Sequence, residues 1–72
     1  MNYNFPYKYA EIELDTGLCV GVQTRSKALD TTRYPMMIPI PVYDEDYIDK
    51  YYINGNWYED AEGTIPWTSS LL

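Results

Sequence analysis

The sequence has no histidine and a single cysteine, Cys19. An intramolecular disulfide is therefore excluded, and so is a zinc site built from Cys and His. The missing histidine also removes the usual activator of a cysteine nucleophile. Basic residues are scarce: 5 Lys+Arg stand against 11 Asp+Glu, a formal net charge of −6. Phosphate and anionic lipid both need Lys and Arg, so nonspecific nucleic-acid binding and membrane-surface adhesion are disfavoured. No apolar run approaches the ~20 residues of a spanning helix. The opening MNYNFPYKY lacks the basic and apolar regions of a secretory signal, so a soluble protein made in the cytoplasm is expected.

A chain of 72 residues predicts one domain. Such a chain buries only about 60% of its unfolded surface, and its core rarely supplies more than roughly 3–5 kcal/mol. With neither disulfide nor metal to help, a partner subunit or docking onto a larger body is the expected stabiliser.

What the chain does have is aromatic residues: nine Tyr, two Trp and one Phe. The strongest local signal lies among them, in residues 49–60, DKYYINGNWYED. Asn54-Gly55 suits a two-residue type I′ turn, which needs φ > 0 at both central positions. That turn sets Ile53 against Asn56, Tyr52 against Trp57, Tyr51 against Tyr58 and Lys50 against Glu59. An aromatic pair and an opposite-charge pair each contribute about 0.2–1 kcal/mol. Trp57 is expected to be among the most buried aromatic residues, either in the fold or at a contact.

Residues 7–14 alternate, with Ala10, Ile12 and Leu14 on one face and Tyr7, Tyr9, Glu11 and Glu13 on the other. Period two predicts a strand with one buried face. Asp15-Thr16-Gly17 reads as a three-residue loop with Gly17 left-handed. That length pairs Leu14 with Leu18, Ile12 with Val20, Ala10 with Val22 and Lys8 with Thr24, and it turns Cys19 to the opposite face. Residues 24–34 form an irregular connection that extends away from the sheet. Pro39 and Pro41 each remove a ladder donor, so residues 36–42 are an edge strand or a polyproline-like strip, whose Met and Ile face covers the hairpin. Asp44 suits an N-cap for one or two helical turns, with Tyr43, Tyr47 and Tyr51 at i, i+4, i+8. Residues 61–63 are a turn, and Pro66 keeps Ile65 extended. The fold class is all-β: two antiparallel hairpins, residues 7–24 and 50–59, plus a Pro-rich edge strand. Residues 1–6 are a loose arm, 7–67 the domain and 68–72 a tail.

Four constellations could carry chemistry. Asp44, Glu45, Asp46 and Asp49 offer oxygen ligands, but Asp49 stands where an EF-hand loop needs Gly, so a solvated acidic turn is expected. Glu11 and Glu13 are a carboxylate pair of the kind that hydrolyses glycosides, but they lie on an exposed strand face, so surface charge that keeps the hairpin soluble is expected. Cys19 reads as a small structural hydrophobe. The aromatic set Tyr51, Tyr52, Trp57 and Tyr58, with the adaptable Met36 and Met37, is the candidate interface. Such rings serve as core, as protein hot spots or as sugar platforms. No catalytic residue, cofactor or metal ligand is expected, and the chain is read as non-enzymatic.

The order of elements resembles small accessory proteins, or short terminal modules, encoded beside tail-fibre and baseplate genes of tailed bacteriophages. The residues that carry the likeness are Tyr9, Glu11, Gly17, Val20 and Val22, then Ile38, Pro39, Ile40, Pro41 and Val42. The acidic stretch 44–49 and Lys50, Tyr51, Tyr52, Gly55 and Trp57 complete it. The resemblance implies a virion structural or tail-assembly protein that docks on a larger tail, fibre or baseplate protein, with a homo-oligomer as a further expectation. A carbohydrate-contacting module at a fibre tip is the first alternative. An acidic inhibitor of a nucleic-acid-binding protein is the second.

Overall fold

The computed structural model describes residues 6–72, so most of the arm expected over 1–6 lies outside the described residues. Over the described residues the chain is all-β, with one short 3-10 turn. Its elements run β1 (Tyr7–Ile12), β2 (Cys19–Arg25), β3 (Met37–Pro39), a 3-10 turn (Glu45–Tyr47), β4 (Tyr51–Ile53) and β5 (Asn56–Tyr58). The first three form an antiparallel sheet in the order β2-β1-β3, and β4 pairs with β5 in a second sheet.

The second hairpin follows its predicted register. Tyr51 pairs with Tyr58, Tyr52 with Trp57 and Ile53 with Asn56. Asn54 and Gly55 hold φ of 51° and 86°, as a type I′ turn demands. Beyond Tyr51 the strands part. Lys50 gives its carbonyl to Cys19 N–H, and Glu59 N–H donates to Ile65. The expected Lys50–Glu59 pair is therefore not part of the ladder.

The first hairpin departs from its predicted register at the loop end. Glu13 N–H donates to the Leu18 carbonyl at 2.9 Å, and Gly17 N–H donates to the Glu13 carbonyl at 2.7 Å. The loop is therefore residues 14–17, one residue longer than expected, and Leu14 is exposed within it. Ile12 consequently pairs with Cys19 rather than Val20. A β-bulge at Val20 absorbs the extra residue, and from Ala10–Val22 and Lys8–Thr24 onward the expected pairing returns. The bulge exchanges two side chains between core and solvent. Val20 is 48% exposed, while Cys19 is fully buried beside Ala10 and Ile12.

The longer loop is tied to the second hairpin. Tyr52 N–H donates to Gly17, Cys19 N–H to Lys50, and Asp49 N–H to Cys19, all at 2.8–2.9 Å. This backbone seam runs along the outer side of residues 17–19 and joins the two sheets. Gly17 is required there twice over. Its φ is +80°, and a Cβ would stand 2.5 Å from the Tyr52 carbonyl oxygen.

β3 is an edge strand, shorter than the expected 36–42. It pairs with β1, and bonds from Ile12 to Met36 and from Ile40 to Lys8 extend the contact. Ile38, Ile40 and Val42 pack on the core with Val22, Tyr52, Trp57 and Trp67. The opposite sheet face is covered too, which sequence alternation did not anticipate. Tyr9, expected on the polar face, is 4% exposed, and Met37 is buried. The reason is the connection after β2. It stays irregular but folds back over this face, where Leu29 N–H donates to the Tyr9 hydroxyl at 2.9 Å.

Candidate functional site

Tyr47 organises the aromatic residues. The helical turns expected around it reduce to a single 3-10 turn. Asp44 caps that turn as expected, accepting from Asp46 N–H at 2.9 Å. Lys50 N–H returns to the Tyr47 carbonyl, and Asp49 reverses the chain at φ 74°. Tyr47 is thereby driven inward to 3% exposure. Its ring stands edge-on to two indoles, with centroids 5.0 Å from Trp57 and 4.8 Å from Trp67. Edge-to-face geometry at this spacing suits the aromatic quadrupoles and adds about 0.5–1.5 kcal/mol per pair beyond burial. Among the described residues Tyr47 and Tyr9 are the most buried aromatics, and Trp57 is half-buried within the chain.

The two tryptophans are brought together by a third, short pairing. Asp60 accepts from the Thr64 and Ile65 N–H groups and from the Thr64 hydroxyl, and this closes the 61–63 turn. Those hydrogen bonds, the Thr64 hydroxyl first, hold the Asp60 carboxyl below its usual range. The returning chain runs beside β5. Tyr58 bridges Pro66, Glu59 N–H donates to Ile65, and Trp67 N–H donates to Trp57. Pro66 fits because this pairing uses the Ile65 carbonyl and the Trp67 N–H, not a donor at Pro66. Lys50 Nζ sits 5.0 Å from the Trp67 ring centroid and donates to the Asp46 carbonyl at 3.2 Å. A cation–π contact of this kind adds about 0.5–1 kcal/mol at an exposed site.

Between the indoles lies an open groove of about 240 Å³. Trp57, Trp67 and Tyr47 form its aromatic wall, Pro41 and Leu72 add apolar surface, and Asn56, Thr68 and Ser69 supply polar groups. Ser69 is buried and its hydroxyl donates to Asp44, which anchors the expected tail on the 3-10 turn. The Ser69 hydroxyl, then the Asp46 N–H, hold the Asp44 carboxyl below its usual range.

The residues expected as one interface are divided. Tyr52 and Trp57 share the hairpin face that packs on the core, their centroids 5.0 Å apart. Tyr51 and Tyr58 are cross-strand partners on the other face, where Tyr58 and Ile53 lie against Gly63. Met36 and Met37 line a separate groove of about 290 Å³ with Glu11, Gln23, Arg25, Leu29 and Tyr34. Sequence reasoning missed Tyr47 and Trp67 as members of the site. The i, i+4 spacing of Tyr43 and Tyr47 pointed to a helix, while the signal for Trp67 was the Asp60-to-Thr64 turn that returns the chain.

Comparison with protein-family models, curated proteins and solved structures gives no match for this chain. The site's chemistry therefore rests on its own geometry. Cys19 is a poor nucleophile, because burial pushes its thiol up and Sγ donates to the Gly21 carbonyl at 3.3 Å. Glu11 and Glu13 are exposed. Among the described residues, no group of three or more His, Cys, Asp or Glu is placed to hold a metal ion. No helix there is long and apolar enough to cross a membrane.

Proposed function

We propose that this chain is a non-enzymatic binding protein that docks on a larger protein through the Trp57–Trp67 groove. The setting we propose is the virion of a tailed bacteriophage, with a tail, fibre or baseplate protein as the body it docks on. The observation that carries the binding reading is the pair of indoles held edge-on to a buried Tyr47. Rings fixed in this way lose little conformational freedom on binding, which favours hot-spot behaviour. Apolar neighbours support a protein occupant over a sugar: Pro41 and Leu72 line the groove, and Leu71 and Leu72 are exposed. The phage setting rests on the resemblance carried by the two hairpin turns, the Ile-Pro-Ile-Pro segment and the acidic stretch.

Co-purification with the products of neighbouring genes tests the reading. A tail-fibre or baseplate protein retained by the chain, and lost on Trp57→Ala or Trp67→Ala with the fold intact, supports it. Asn56, Thr68 and Ser69 at the groove give the sugar alternative its one specific observation. A saturable fluorescence change on titrating simple host-wall sugars, lost in Trp57→Ala, would put that alternative first. A nucleic-acid-binding protein retained instead, from an early-gene neighbourhood, would favour the inhibitor.

A further inference from the structure

The outer edge of β2 is half used. Bonds from Ile40 N–H to Lys8 and from Ile12 N–H to Met36 show that Lys8, Ala10 and Ile12 aim their backbone groups at β3. Tyr9 and Glu11 therefore aim theirs at β2, where their partners are Gln23 and Gly21. It follows that Val22 and Thr24 present N–H and C=O outward. Cys19 uses the same outer side for the seam to Asp49 and Lys50. Past the bulge, among the described residues, β2 has no neighbouring strand on that side. An open edge is a template for another strand.

Gly21 adds an independent observation. It is not among the glycines with positive φ, and a Cβ there would meet nothing within 4 Å. Gly21 directly follows the bulge at Val20, one setting in which a strand takes glycine, and the open space at its Cα also admits a close approach by another backbone or side chain.

We infer that β2 pairs with β2 of a second copy of this chain, antiparallel about a two-fold axis at Gln23. This register sets Val22 opposite Thr24 of the second copy, and each such pair exchanges backbone bonds in both directions. Gly21 then lies opposite Arg25 of the second copy. Glu11 is the neighbour of Gly21 on β1 and shares its face. The two side chains stand two strands apart, about 10 Å at the backbone, and reach each other across a position with no side chain. The two-fold makes this carboxylate–guanidinium contact twice. A six-stranded sheet results, and its pairing is separate from the Trp groove.

Sedimentation of the full chain across micromolar to near-millimolar concentrations tests the inference. The expected result is a monomer–dimer equilibrium. Glu11→Arg or Arg25→Glu alone should weaken it by about tenfold or more, and the double reversal should restore it. Under oxidation, Gln23→Cys should give a covalent dimer, because non-hydrogen-bonded partners across an antiparallel pair lie within disulfide reach. A Val20→Cys control should not. A monomer at every concentration overturns the inference. So does a dimer that is indifferent to both charge reversals and fails to cross-link at position 23. Near-ultraviolet circular dichroism identifies any variant that has lost its fold, and a monomeric wild-type mass overturns the inference without any variant.

Discussion

The two hairpins are closed by turns of different kinds. Asn54-Gly55 holds both central residues at positive φ with open space around Gly55, so the turn and its register are settled within four residues. The 14–17 loop also has a left-handed glycine, but Gly17 lies against the backbone of Tyr52. Its geometry belongs to the contact between hairpins as much as to its own strands. A turn determined by its own residues can be read from sequence. One that also serves a distant strand can gain a residue, and here the β-bulge at Val20 absorbs it.

Replacing each turn glycine by alanine should separate the two cases most strongly. Gly55→Ala incurs only the left-handed penalty of about 1–2 kcal/mol. Gly17→Ala adds a backbone collision, and the total should exceed about 3 kcal/mol, enough to unfold a core of this size. Urea titration followed by tryptophan fluorescence measures both. Equal destabilisation would mean that the seam does not depend on close approach at Gly17.

The bulge itself gives a smaller contrast. Val20→Lys should change stability by no more than about 0.5 kcal/mol, as expected of a surface site. Cys19→Lys should abolish the fold, since it places an unpaired charge in the core. The opposite order would restore the uninterrupted register.

A finer test concerns Asp44 and Ser69, which tie residues 68–72 to the turn that carries Tyr47. The Asp44 carboxyl is held low in the folded chain, so its contribution is present above the usual carboxylate range and is lost as pH falls through the depressed value. Ser69→Ala should melt lower than wild type at neutral pH. The gap should begin to close as the pH drops below about 4, where the unfolded carboxylate takes up its proton, and should vanish as the pH passes the depressed value of the folded carboxyl. A gap that does not change with pH would assign Ser69 to packing alone.

The local features were legible: the Asn-Gly turn, the Asp44 cap, the edge strand with its prolines and the pairing of Ala10 with Val22. The sequence misled where distant segments compete. Alternation put Tyr9 on a polar face, yet the 24–34 connection returns to bury it and bonds its hydroxyl through Leu29. Tyr51, Tyr52, Trp57 and Tyr58 read as one aromatic surface, but period two sends alternate residues to opposite faces of β4 and β5. Tyr47 and Trp67 complete the Trp groove from outside the hairpin, and no short window contains both.

With the seam in place the two hairpins should behave as a single cooperative unit, which keeps the Trp57–Trp67 groove rigid. Native-state hydrogen exchange measures this cooperativity amide by amide. The amides of Cys19, Asp49, Tyr52 and Trp67 should exchange with the same opening free energy as those of Ala10 and Ile12, which is the global value. If Tyr52 and Trp67 exchange through a lower-energy opening while Ala10 and Ile12 stay protected, the second hairpin opens independently and the seam does not couple the two.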